Sequence, residues 1–162
     1  EKLILEAFKI LWKNSTASLP RLMIVPRHPE RFAEVTQSIK STGFIFAKRS
    51  ENPSERDKTA EIILLDSIGE LRSIYPLAEI VFIGGSLIPH GGQNVLEPAI
   101  CQKAIVTGFY TMNFKAIVEE FLANDALIQL PKLSEKDISP ILAEKLSELL
   151  QDEKRRNELA EN

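Results

Sequence analysis

Short apolar runs rich in β-branched residues alternate with amphipathic stretches along the chain, and this alternation limits the fold more than any other feature. The runs at residues 22–25, 44–47, 62–65, 80–83, 104–106 and 127–130 are mostly apolar on both pleats, as buried strands are. Helical patterns lie between them. Residues 30–42 place Phe32, Val35 and Ile39 on one face, and Gly43 stands where a helix end needs a left-handed residue. Ser67 followed by Glu70 reads as a capping box for a helix whose Leu71, Ile74 and Tyr75 face inward. Residues 93–102 and 113–123, the second capped by Asn113, continue the pattern; 134–150 and 152–161 close it. Strand–helix alternation of this kind implies an α/β fold, a Rossmann-like parallel sheet of about six strands with helices on both faces.

The chain opens in a helix, with Leu3, Ile4, Ala7, Phe8, Leu11 and Trp12 forming one apolar stripe that ends in a polar turn at 14–20. Such a helix covers a sheet and is usually entered from a strand, so the chain is expected to be a piece of a longer protein, cut within its first strand–helix unit. Composition mainly excludes. With 44% hydrophobic and 27% charged residues the chain is an ordinary globular sequence. A net charge of −3 argues against a general nucleic-acid binder. The single cysteine, Cys101, cannot close an internal disulfide and is expected to be packed, in a reducing compartment. No apolar run approaches the roughly 18 residues of a membrane span. Residues 48–60, charged and interrupted by Pro53, are expected to form a mobile surface loop. Two histidines and one cysteine suggest no metal set, and no serine sits on a nucleophile elbow.

In a parallel sheet, ligands bind beyond the C-terminal ends of the strands. Three polar segments hold that position and are expected at one edge of the sheet: Pro26-Arg27-His28-Pro29, residues 67–70 and residues 86–97. The last is the richest. After the strand at 80–83, Gly84-Gly85 and Gly91-Gly92 bracket a short turn that leads into a helix. Glycine lets backbone approach a ligand closely, and a helix start presents free N–H groups to an anion. Neither a G-x-G-x-x-G fingerprint nor a Walker A motif is present, so the segment points to a phosphate or sugar-nucleotide site without choosing one. Glu97, three residues after Asn94, can accept hydrogen bonds from a ribose diol. Arg27 can pair with a phosphate, and His28 can donate to it.

Four ordered motifs carry a resemblance. Val25-Pro26-Arg27-His28-Pro29-Glu30-Arg31-Phe32, Asp66-Ser67-Ile68-Gly69-Glu70-Leu71, Val81-Phe82-Ile83-Gly84-Gly85-Ser86-Leu87 and Gly91-Gly92-Gln93-Asn94-Val95-Leu96-Glu97-Pro98 resemble the C-terminal half of 3-deoxy-D-manno-octulosonic acid (Kdo) transferases, which are GT-B glycosyltransferases. Thr111-Met112-Asn113-Phe114-Lys115, after Gly108, continues the match. The resemblance implies one half of a GT-B fold: residues 1–162 as a single donor-binding domain for CMP-Kdo, with the acceptor domain absent. It assigns Pro26, Arg27 and His28 to the phosphate, Ile68, Gly69 and Glu70 to the nucleotide, and Asn94, Val95, Leu96 and Glu97 to the phosphate end and ribose. Gly85, Ser86 and Gly92 complete the donor site.

It further implies Kdo transfer to a lipid A precursor at the cytoplasmic face of the bacterial inner membrane, with no metal or other cofactor. The general base would belong to the missing half, leaving this chain able to bind but inactive alone. The family more often carries arginine at His90, histidine at Gln93, and proline and histidine at Phe109 and Tyr110; glutamine at 93 cannot become cationic. Two alternatives stand beside this reading. One is the donor half of another GT-B transferase or an epimerase using a UDP sugar, and the other is a non-catalytic nucleotide-binding module.

Overall fold

The protein is described from a computed structural model covering residues 1–14 and 19–162, so most of the turn expected at 14–20 lies outside the described residues. The chain divides into two units, Glu1–Leu71 and Arg72–Asn162, each built on a three-stranded parallel sheet.

In the first unit α1 (Lys2–Asn14) precedes β1 (Leu22–Ile24), and a 3-10 turn at Pro29–Arg31 runs into α2 (Phe32–Lys40). Next come β2 (Phe46–Lys48), α3 (Glu55–Thr59) and β3 (Ile62–Leu64). The strand order is β1-β3-β2, with Ile62 facing Leu22 on one side and Phe46 on the other. Leu5 and Phe8 of α1, Val35 and Ile39 of α2, and Ile24, Ile62 and Leu64 of the sheet form one core. Each such side chain stabilises the unit by about 1.5–3 kcal/mol on burial. Arg31 joins the two helices through a two-pronged pair with Glu1, at 3.0 and 2.9 Å.

Three expectations change here. Leu5 is buried whereas Trp12 is 40% exposed, its ring 5.7 Å from that of Phe44 in an edge-on contact. β2 starts two residues late: the Ile45 N–H is taken by Glu61 Oε2 at 2.7 Å, and its carbonyl is shared between the Glu61 and Ile62 N–H groups at 2.8 and 3.2 Å. The supposed mobile loop at 48–60 contains α3, opened by a capping box between Ser54 and Asp57.

From α4 (Leu71–Ile74), whose first residue ends the first unit, the chain continues through a 3-10 turn at Tyr75–Leu77, β4 (Ile80–Phe82), α5 (Leu96–Ile100) and β5 (Ala104–Thr107) of the second. A 3-10 turn at Met112–Phe114 leads to α6 (Lys115–Ala123), β6 (Ile128–Gln129), α7 (Glu135–Gln151) and α8 (Glu153–Glu161). The strand order is β4-β5-β6, and central β5 is buried throughout. Ile83, Val95, Ile105, Val118 and Leu127 form the core. All six expected strands are present and every pairing is parallel, but they form two three-stranded sheets in place of the one sheet expected.

Candidate functional site

β1 and β3 are adjacent and parallel, with Ile24 opposite Leu64, so the segments after both leave at the same edge of their sheet. After β1, Pro26 is buried while Arg27 and His28 are exposed; Pro29 then starts the 3-10 turn with its ring-fixed φ. His28 Nδ1 lies 3.6 Å from Glu30 Oε1. After β3, Ile68 is 68% exposed, an unusual place for a large apolar side chain. Gly69 follows at φ +87°.

That left-handed glycine overturns the expected capping box at Ser67 and Glu70. No helix starts at Ser67, and α4 begins only at Leu71. Glu70 is instead bound across the loop by Arg49, whose Nε donates to Glu70 Oε2 at 2.9 Å. Ser50 donates from its N–H and its hydroxyl to Asp66, at 2.9 and 2.6 Å. The buried Ser67 hydroxyl meets no partner at hydrogen-bonding geometry, yet its nearness to Glu70 and the Arg49 guanidinium together hold that carboxyl below its usual range.

In the second unit two backbone hydrogen bonds close the glycine turn. Gly92 N–H donates to Gly85 carbonyl at 3.1 Å, and Gln93 N–H to Gly84 carbonyl at 3.0 Å. Gly85, Gly91 and Gly92 all have positive φ, so glycine is required to make the turn. The same closure shortens the helix expected over 93–102 to α5: Gln93 points back to Gly84, and Gln102 leaves the helix at φ +52°. Asn94 accepts from Leu96 N–H at 3.0 Å and donates to Glu97 Oε1 at 3.2 Å, which fixes the carboxylate in the first helical turn. Burial, and next the Glu97 carboxylate, push the Tyr75 phenol up to about 12.

Ser86 is fully buried. Its hydroxyl donates to the Ile83 carbonyl and accepts Gly108 N–H at 2.8 Å, so it ties the turn to the segment after β5. Tyr110 N–H reinforces that tie by donating to Ser86 carbonyl at 2.9 Å. Asn113, expected as a helix cap, sits one residue before the 3-10 turn's end and donates instead to Gly92 carbonyl at 3.2 Å. Val95 is also fully buried, whereas Leu96 and Glu97 face outward. Gln93 lies against Gly84, and His90 is exposed.

Within the first unit the structure therefore brings Arg27, His28, Ile68, Gly69 and Glu70 to one sheet edge. Within the second it brings Gly85, Gly92, Asn94 and Glu97 to one turn, with Ser86 and Val95 holding that turn from inside. Arg49, Tyr75, Gly108 and Asn113 were not expected as partners. Arg49 lies in a segment that reads as solvated loop, and the others act through contacts with residues distant in sequence. No group of three or more His, Cys, Asp or Glu side chains suited to a metal occurs among the described residues. No helix among them is long and apolar enough to cross a membrane.

Chemically, the first unit offers an exposed guanidinium after a strand, and the second an oriented carboxylate beside a glycine turn, groups of the kind that ligand-binding α/β domains carry at strand ends. Fold and loops define a Rossmann-like domain. No protein-family model matches the chain. It is 42% identical over 114 residues to the 3-deoxy-D-manno-octulosonic acid transferase of Haemophilus influenzae, a match covering 67% of this chain and 26% of that protein. It is 36% identical over 151 residues to a bifunctional glycosyltransferase/methyltransferase of Fusobacterium nucleatum, covering 91% of this chain and 23% of the relative. The crystal structure of the C-terminal CMP-Kdo binding domain of WaaA from Acinetobacter baumannii superposes with a TM-score of 0.84 at 33% identity, over 98% of this chain and 78% of that one. The chain belongs to the 3-deoxy-D-manno-octulosonic acid transferase family, a family of glycosyltransferases, and corresponds to its C-terminal domain. It spans about a quarter to a third of the length of the curated relatives it matches.

Proposed function

We propose that this chain binds CMP-Kdo as the sugar donor, and that the longer protein it corresponds to transfers Kdo to a lipid A precursor at the cytoplasmic face of the bacterial inner membrane. The reading is carried by the likeness, at 33% identity and across 98% of the chain, to a domain described as CMP-Kdo binding. Transfer breaks the bond between the sugar and a phosphate oxygen, which leaves extra negative charge on the departing CMP. Arg27, exposed after β1, supplies a guanidinium for that phosphate. The glycine turn lets backbone come close to the donor. Glu97, aligned by Asn94, accepts hydrogen bonds from the ribose hydroxyls. No metal is required in this scheme. The base that activates the acceptor, and the acceptor and membrane contacts, are assigned to the part of the relatives that this chain does not span.

Titration with CMP and with UMP, followed by amide NMR shifts, tests the donor assignment. Saturable CMP binding, weaker for UMP, with shifts at 27–28 and 94–97 and loss in Arg27→Ala and Glu97→Ala, is expected. UMP binding as tightly as CMP would move the chain to a UDP-sugar enzyme, and silence toward both would remove the reading.

A further inference from the structure

Arg49 and Glu70 belong to different loops of the first unit, and the loop that carries Arg49 is anchored at its base. Arg49 N–H donates to the Leu64 carbonyl at 2.9 Å, which carries the β2–β3 ladder one residue past β2. Ser50 then clasps Asp66 with two hydrogen bonds, at 2.9 and 2.6 Å. The backbone under the Arg49 side chain is thus fixed relative to β3. The tip it reaches is not held by packing. Gly69 is exposed with open space around the position of a Cβ, Ile68 is 68% exposed, and α4 contains no buried residue. The hydrogen bond that reaches the Glu70 carboxylate from another loop is the 2.9 Å bond from Arg49 Nε, with Ser67 of its own loop beside it.

We propose that Arg49 is a positioning residue for nucleotide binding: it aims the Glu70 carboxylate and cancels its charge at the sheet edge where a phosphate ester binds. The inference rests on the nucleotide-binding reading above. Without the guanidinium, the carboxylate would swing with its glycine hinge and would face the ligand phosphate as an unpaired like charge. Arg49 need not touch the ligand for either effect.

A double-mutant cycle read by CMP titration separates this role from others. Arg49→Ala should weaken CMP binding about five-fold, the upper range for a partly exposed ion pair. Glu70→Ala should also weaken it, and the double variant should bind no more weakly than Glu70→Ala alone. Ser50→Ala, which loosens the same clasp without touching Glu70, should change affinity less than Arg49→Ala. Additive losses in the double variant would show Arg49 acting on the ligand itself and would overturn the proposal. So would an equal loss in Ser50→Ala, which would make Arg49 a general support of the loop. If Arg49→Ala melts well below the parent chain, Arg49→Gln, which keeps length and polarity but no charge, takes its place in the cycle, with the same outcomes. A parent chain that binds no CMP would remove the nucleotide reading, and this inference with it, before any variant is compared.

Discussion

Replacing Gly108 by alanine should unlock the second unit. A Cβ at that position would stand 2.3 Å from the Ser86 carbonyl oxygen, 2.6 Å from its carbon and 2.9 Å from Leu87 N. Unstrained contacts need roughly 3.5 Å, so the two segments must part by about 1 Å. That movement stretches Gly108 N–H to Ser86 Oγ, now 2.8 Å, and Tyr110 N–H to Ser86 carbonyl, now 2.9 Å, beyond useful hydrogen-bond length. Overpacking alone costs about 1–3 kcal/mol. Each buried polar group left without its partner adds about 1–3 kcal/mol. The total is at least about 3 kcal/mol, against the roughly 5–15 kcal/mol that holds a domain folded. Urea unfolding followed by far-UV circular dichroism should show a midpoint lower by about 1.5 M, taking a slope near 2 kcal/mol per molar. Gly43→Ala is the control. Gly43 has φ +82° but open space around it, so alanine there meets only the left-handed backbone penalty of about 1–2 kcal/mol. A Gly108→Ala midpoint that falls no further than that of Gly43→Ala would refute the reasoning.

Two titrations follow from the ion pairs and burial. Tyr75, raised to about 12 from 10.0, favours its neutral form in the fold, so stability is complete below pH 10 and declines as pH rises toward 12. Tyr75→Phe should flatten that alkaline limb in unfolding midpoints taken from pH 9 to 12. Asp125 is lowered by its hydrogen bonds to Arg155, which donates at 2.6 and 2.7 Å, so that pair supports the fold above about pH 4 and fails as acid protonates the carboxylate. Asp125→Asn should reduce stability near neutral pH while leaving that at pH 2 nearly unchanged, as thermal melts would show.

The alternation of apolar runs with amphipathic stretches was enough to read six parallel strands, because strand burial is written in local composition. The sheet-edge segments could be read for the same reason: topology puts them after strands. Helix starts were harder. Ser67 and Glu70 have the spacing of a capping box, but the left-handed Gly69 between them and the distant Arg49 decide otherwise. The box that does form, at Ser54 and Asp57, uses aspartate and hides in a charged stretch. Trp12 follows the helical stripe by spacing, yet α1 rolls to bury Leu5 and leaves Trp12 to meet Phe44 at the margin. Asn113 and Gly108 owe their roles to residues some twenty positions away, a distance over which no local pattern speaks.

The closed glycine turn also bears on the thermodynamics and speed of association. Its two backbone bonds, the Asn113 brace and the buried Ser86 hydroxyl all come from the chain itself. Its ordering entropy is therefore met when the chain folds and is not charged again at binding. A ligand arriving at this turn should show a small heat-capacity change, and an on-rate set by encounter instead of by rearrangement.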